Sequence, residues 1–158
     1  MGMFVSGSAT STGSFGNIAL AADTSTGPNF YEEGTWTPVL SESGTATITG
    51  NKYIKIGSTV QIWAALGNIQ DVSANSNDFT ITGFPFASEI GSRQVIGNAM
   101  TNYIELEGGR GSQILYMSTS GPKLYIYNND TGDDFHAITW ADIVNNDDID
   151  IHGTYHLL

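Results

Sequence analysis

Thr59-Val60-Gln61-Ile62-Trp63-Ala64-Ala65-Leu66 alternates with a period of two: Val60, Ile62, Ala64 and Leu66 share one face of an extended chain, and Trp63 falls on the other. That is the signature of a strand with one buried face, and the text on either side repeats it. Upstream, residues 45–49 and 52–56 flank Gly50-Asn51, two residues that tolerate positive φ, so the expected arrangement is a tight hairpin with Tyr53 and Lys55 alternating with Ile54 and Ile56. Residues 35–40 read as the first strand. Downstream, strands are expected over 79–82, 95–99, 103–107, 113–117, 124–127, 135–139 and 149–157, with one helical turn over 141–144. Pro85, in Gly83-Phe84-Pro85-Phe86, forbids a central strand and marks an edge or corner.

Turn residues recur at intervals of roughly 8 to 12 residues, the spacing of a sandwich or barrel. Ser, Thr and Gly together number 51 of 158 residues, a share that suits turn-rich β structure and argues against long helices. The chain is long enough for one domain with a real core and too short for two of ordinary size. We divide it into a segment 1–30 and a globular unit 31–158. The first segment is rich in Gly, Ser and Thr, holds no Lys or Arg, and has Asp23 as its single acid. Two readings are open for it: a flexible linker, or a segment whose Phe4, Val5, Phe15, Ile18 and Leu20 are buried between several copies of the chain. The apolar side chains are too many for a spacer and too few for a core, which favours self-association.

A net charge of −11 with five scattered basic residues excludes a polyanion-binding surface, so no nucleic-acid partner is expected. No apolar run reaches the length of a membrane span, so no membrane insertion is expected either. The first residues, Met1-Gly2-Met3-Phe4-Val5, carry no basic group ahead of an apolar stretch, unlike a secretion signal. Without cysteine there are no disulfides or thiolate metal sites.

Residues 31–69 contain Tyr31-Glu32-Glu33-Gly34-Thr35-Trp36-Thr37-Pro38-Val39-Leu40, followed by Gly50-Asn51-Lys52-Tyr53-Ile54-Lys55-Ile56-Gly57-Ser58-Thr59-Val60. Together with Ile81-Thr82-Gly83-Phe84-Pro85-Phe86 and the closing Ile151-His152-Gly153-Thr154-Tyr155, this text resembles the C-terminal tip (receptor-binding) domains of bacteriophage tail fibres and tail spikes. The Ser6 to Gly16 text is similar to the shaft that often precedes such tips. Residues 90–150 match nothing in that pattern. The resemblance implies an all-β fold, an antiparallel, jelly-roll-like β-sandwich tip after a short Gly/Ser/Thr-rich shaft, assembled as a homotrimer. It implies location in the virion tail fibre and host attachment, with a host cell-surface glycan or outer-membrane protein and other virion tail proteins as partners. The expected function is adhesion; a purely structural trimerisation or capping module is the alternative, and a polysaccharide depolymerase fragment comes third.

Enzymatic chemistry finds little support in the residues. Glu32/Glu33, Asp133/Asp134 and Asp147/Asp148 are adjacent pairs, and neighbours on a strand point to opposite faces, a poor arrangement for an acid/base dyad. Gly108-Gly109-Arg110-Gly111 lacks the Gly-Lys-Ser/Thr of a phosphate loop and reads as a turn. No cofactor is expected beyond a calcium ion on Asp130, Asp133 and Asp134, whose stretch offers oxygen ligands where a solvated loop is the competing reading. His152 and His156 share a strand face but stand roughly 13 Å apart, so they could ligate a metal only by converging with sister copies on a three-fold axis. Aromatic side chains are the best binding candidates: Trp63, Tyr103, Tyr116, Tyr125, Tyr127 and Trp140 could offer flat faces to sugar rings, although core packing explains most of them as well. The preferred patch is Tyr125 and Tyr127 with Asn128, Asn129, Asp130 and Trp140.

Overall fold

The computed structural model describes residues 31–70, 75–87, 94–102, 104, 112–118, 123–129, 135–143 and 146–157. The segment 1–30, the 130–134 stretch with its proposed calcium ligands, and most of the 103–107 strand lie outside the described residues. What is described is all-β and antiparallel throughout. Strands β1 (Tyr31–Thr35), β2 (Val39–Leu40), β3 (Thr45–Ile56), β4 (Thr59–Gln70), β5 (Thr80–Thr82), β6 (Gln94–Asn102), β7 (Ser112–Met117), β8 (Leu124–Asn129), β9 (His136–Ala137) and β10 (Asp147–His156) form one sheet. Its order is β1-β3-β4-β10-β6-β7-β8-β5-β2, with β9 pairing β8.

This order forces curvature. β1 and β2 stand at opposite ends of the sheet, yet only residues 36–38 separate them in the chain. Four backbone steps reach at most about 14 Å, so the two ends of the sheet must come near each other. The sheet curls into a half-barrel around a single core. The alternation in β4 is as expected: Val60, Ile62, Ala64 and Leu66 are buried and Trp63 faces outward. Leu115 and Met117 of β7, Leu124 and Ile126 of β8, and Ile149, Ile151 and Tyr155 of β10 complete the same interior.

Two sequence expectations change here. Residues 45–56 are not a hairpin but one twelve-residue strand, β3, paired with the twelve residues of β4. Gly50 and Asn51 form a bulge, two residues opposite one, between the pairs Thr49↔Ala65 and Lys52↔Trp63. The reversal occurs instead at Gly57-Ser58, between Ile56 and Thr59, where Gly57 takes φ +58°. Positive φ at Gly50 thus serves a bulge, and the bulge has a use: the Asn51 carbonyl accepts from the Trp36 N–H, and its side-chain amide donates to the Trp36 carbonyl. The second change follows. The 35–40 strand is broken at Trp36, which turns its indole into the core and donates Nε1–H to the Trp63 carbonyl at 2.8 Å.

The aromatic segment after β5 bridges the seam of the half-barrel. Phe84 stacks on Trp36 at 5.5 Å and meets Tyr155 edge-on at 5.7 Å, while Phe86 meets Tyr53 edge-on at 5.3 Å. The Tyr155 hydroxyl donates to the Phe86 carbonyl at 3.3 Å. Burial pushes this phenol's pKa well above the ordinary 10.0. The folded state therefore holds a proton that the unfolded chain releases, so stability is intact below pH 10 and falls as pH rises beyond it. Alkaline titration monitored by circular dichroism should show unfolding that begins near pH 10, and Tyr155→Phe should flatten that limb at a small cost at neutral pH.

Candidate aromatic binding face

Tyr125 and Tyr127 occupy alternate positions of β8 and project from the outer side of the sheet, while Leu124 and Ile126 project into the core. Pairing of β7 with β8 sets Tyr116 opposite Tyr125 and Ile114 opposite Tyr127. The rings form a connected group: Tyr116 lies 5.2 Å from Tyr127 and 6.1 Å from Tyr125, and Tyr125 lies 6.2 Å from Tyr127. Phe135, ahead of β9, adds an edge-on contact to Tyr127 at 5.4 Å and is 62% exposed. Val95, opposite Tyr116 on β6, is 71% exposed. Such ring pairs contribute about 0.5–1.5 kcal/mol each beyond their burial, so the group is held in place before any ligand arrives. Among the described residues the hydroxyls of Tyr116 and Tyr125 have no protein partner, which leaves them to water or to a ligand.

Two residues expected at this site are placed elsewhere. Asn128 is buried, 7% exposed, and points to the opposite side from the tyrosines because β8 continues through Asn129 instead of ending at Tyr127. Among the described residues its Oδ1 has no hydrogen-bond partner. Trp140 is fully buried: it begins a single 3-10 turn, Trp140–Asp142, packs edge-on against Phe79 at 4.9 Å and donates Nε1–H to Ser41 Oγ at 2.9 Å. Its face is core, not surface. Asn129 belongs to β8, whereas Asp130, Asp133 and Asp134 lie outside the described residues. Sequence reading missed Ile114, Val95 and Phe135; the only signal for the first two was their parity on β7 and β6, which becomes useful once the register is known.

The remaining candidates have local partners. His152 Nε2 lies 2.8 Å from Gln61 Nε2, and its ring stacks on Trp63 at 5.5 Å and 10°. His156 Nδ1 lies 3.3 Å from Thr59 Oγ1. Among the described residues no group of three His, Asp or Glu side chains gathers to hold a metal ion. Each acid of the Glu32/Glu33 pair accepts from a tyrosine, Tyr53 at 2.7 Å and Tyr31 at 2.6 Å, and these bonds keep both phenols protonated above their ordinary range. Asp147 is buried while Asp148 lies toward the surface and accepts from the Asn68 N–H at 3.0 Å, so the two carboxylates diverge across the sheet. No protein family, curated protein or solved structure matches the chain.

Proposed function

We propose that this protein is a non-enzymatic adhesion module, the tip of a virion tail fibre that attaches to a bacterial cell surface, with a glycan as the receptor and Tyr116, Tyr125, Tyr127 and Phe135 as the contact face. The observation that carries the reading is the gathering of four aromatic side chains on the outer side of the sheet, where a soluble strand ordinarily places polar residues. Flat rings with polar tips suit sugar rings, and the strongly negative chain disfavours acidic polymers as ligands. The resemblance of the YEEGTWTP text and of the closing His152-Gly153-Thr154-Tyr155 strand to fibre tips supports the setting.

In the finer form of the proposal, the curled sheet works as a jelly-roll-like sandwich, with β1-β3-β4-β10 facing β7-β8-β5-β2, and three chains assemble into one tip. Three weak shallow sites on one fibre then bind a surface with an avidity that none reaches alone. A capping role without receptor binding is the second reading, favoured by Val95 and Met100, 71% and 68% exposed, which would be covered between copies.

Glycan arrays probed with the full chain test the proposal. Binding is expected, and Tyr127→Ala should weaken it at least tenfold, about 1.4 kcal/mol, with the fold unchanged. A blank array with an assembly three times the 16.9 kDa chain mass favours the capping role, and a 16.9 kDa monomer in solution removes the trimer.

A further inference from the structure

A shallow depression of about 450 Å³ lies on the same outer face over β4, β10 and β6, beside the tyrosine strands: Asn98 of β6 is directly opposite Ile114 of β7, while Trp63 on β4 is four strands from Tyr127. The pairing register explains its shape. Trp63, His152 and Asn98 are directly opposite one another on β4, β10 and β6 and form one wall. The next outward row along these strands is Ala65, Asp150 and Met100, so a small side chain and a short acid stand where the wall residues have rings. The wall is set in advance: the Trp63 and His152 rings stack at 5.5 Å, and Gln61 holds His152 Nε2 at 2.8 Å. Met100, 68% exposed, forms an apolar rim. Asp150 is the one acidic side chain among the lining residues, and no Lys or Arg is among them.

We propose that this depression is a second saccharide subsite, taking a neutral or amino-bearing sugar unit and rejecting an acidic one; the inference rests on the reading of the outer face as a glycan-binding surface. An aromatic wall beside an amide, an imidazole and a carboxylate supplies apolar contact to ring C–H groups and directional acceptors to hydroxyls. The Asp150 carboxylate selects. It accepts from hydroxyl or ammonium groups and repels uronic, sialic or phosphorylated units; the nearest basic side chain on this face, exposed Lys52 opposite Trp63 on β3, stands behind the wall and outside the lining. A second copy of the chain suits this place poorly, because the outward side chains at its centre, Asp150, His152 and Asn98, are polar and exposed.

The full chain should be titrated with chitotriose, with its de-N-acetylated counterpart and with a trimeric oligogalacturonide, following the Trp63 indole N–H resonance. The first two are expected to move it and the third to leave it in place. Asp150→Asn should cut the preference for the amino sugar over the acidic one at least fivefold; it changes an exposed side chain, so the fold is kept. Tyr127→Ala should leave the Trp63 response intact. Equal response to the acidic trimer, or silence with both of the others, overturns the subsite. Glycan-array binding that Tyr127→Ala abolishes while Trp63 stays silent removes the subsite alone, whereas a blank array with a responsive Trp63 removes the adhesion reading and keeps the subsite.

Discussion

Trp140→Ala is expected to lose about 3–5 kcal/mol of stability, a large part of the 5–15 kcal/mol typical of a folded domain. The indole is completely buried, and its removal leaves a cavity against Phe79 and beneath Gly44, where a Cβ would already stand only 2.1 Å from the ring. The loss extends beyond packing. Ser41 Oγ accepts from Trp140 Nε1–H at 2.9 Å and from the Thr80 N–H at 3.1 Å while donating to the Asp78 carbonyl at 3.3 Å. This one hydroxyl ties the residue after β2 to β5 and to the turn that follows β9. Trp140→Phe keeps most of the volume and loses the N–H, so it should cost about 1–3 kcal/mol, near the cost of Ser41→Ala. Thermal unfolding checks the series: Trp140→Ala should lower the midpoint by about 10 °C or more, with the other two in between. Equal midpoints for Trp140→Ala and wild type would mean that this side of the core is not closed as described. The result also bears on the proposed adhesion: Trp140→Ala should weaken it only in step with loss of the folded state, whereas Tyr127→Ala should weaken it with the fold unchanged.

Periodicity made the fold class and most strand positions legible. β7 and β10 lie within two residues of their expected bounds, whereas β4 runs on to Gln70 and β8 to Asn129, four and two residues past theirs. The bulge was not legible, since Gly50-Asn51 suits a hairpin and a bulge equally; what decides is the length of partner available, and the twelve residues of β4 extend past Gly50. The curl was hidden too, because it depends on which strands end up at the two edges. At the candidate face, the shared side of Tyr125 and Tyr127 followed from parity alone. Asn128 was misplaced because the reading ended the strand two residues early, and a period of two sends each added residue to the opposite side. Trp140 was ambiguous for a different reason: in a short turn no periodicity tells a core ring from a surface one, and only its contacts with Phe79 and Ser41 settle it.

Gly83→Ala carries the second large effect, expected to be at least about 3 kcal/mol, and it acts through the backbone. Gly83 takes φ +86°, and a Cβ there would lie 2.0 Å from the Thr37 carbonyl oxygen and 3.3 Å from Val39 Cγ2. Neither neighbour can give way cheaply: Thr37 lies in the three-residue connection between the two ends of the sheet, and Val39 opens the edge strand that pairs with β5. Gly50 supplies the control, since it also takes a positive φ, +60°, but nothing lies within 4 Å of its would-be Cβ. Gly50→Ala should therefore show only the conformational penalty of about 1–2 kcal/mol, and the difference between the two variants measures the steric closure of the seam. Displacing Gly83 also moves Phe84 and Phe86 off Trp36, Tyr53 and Tyr155, so Gly83→Ala should shift the tryptophan emission as well as the unfolding midpoint, and Gly50→Ala should not. If the two variants prove equally stable, the contact between Gly83 and Thr37 is absent and the edges of the sheet are not drawn together at this point.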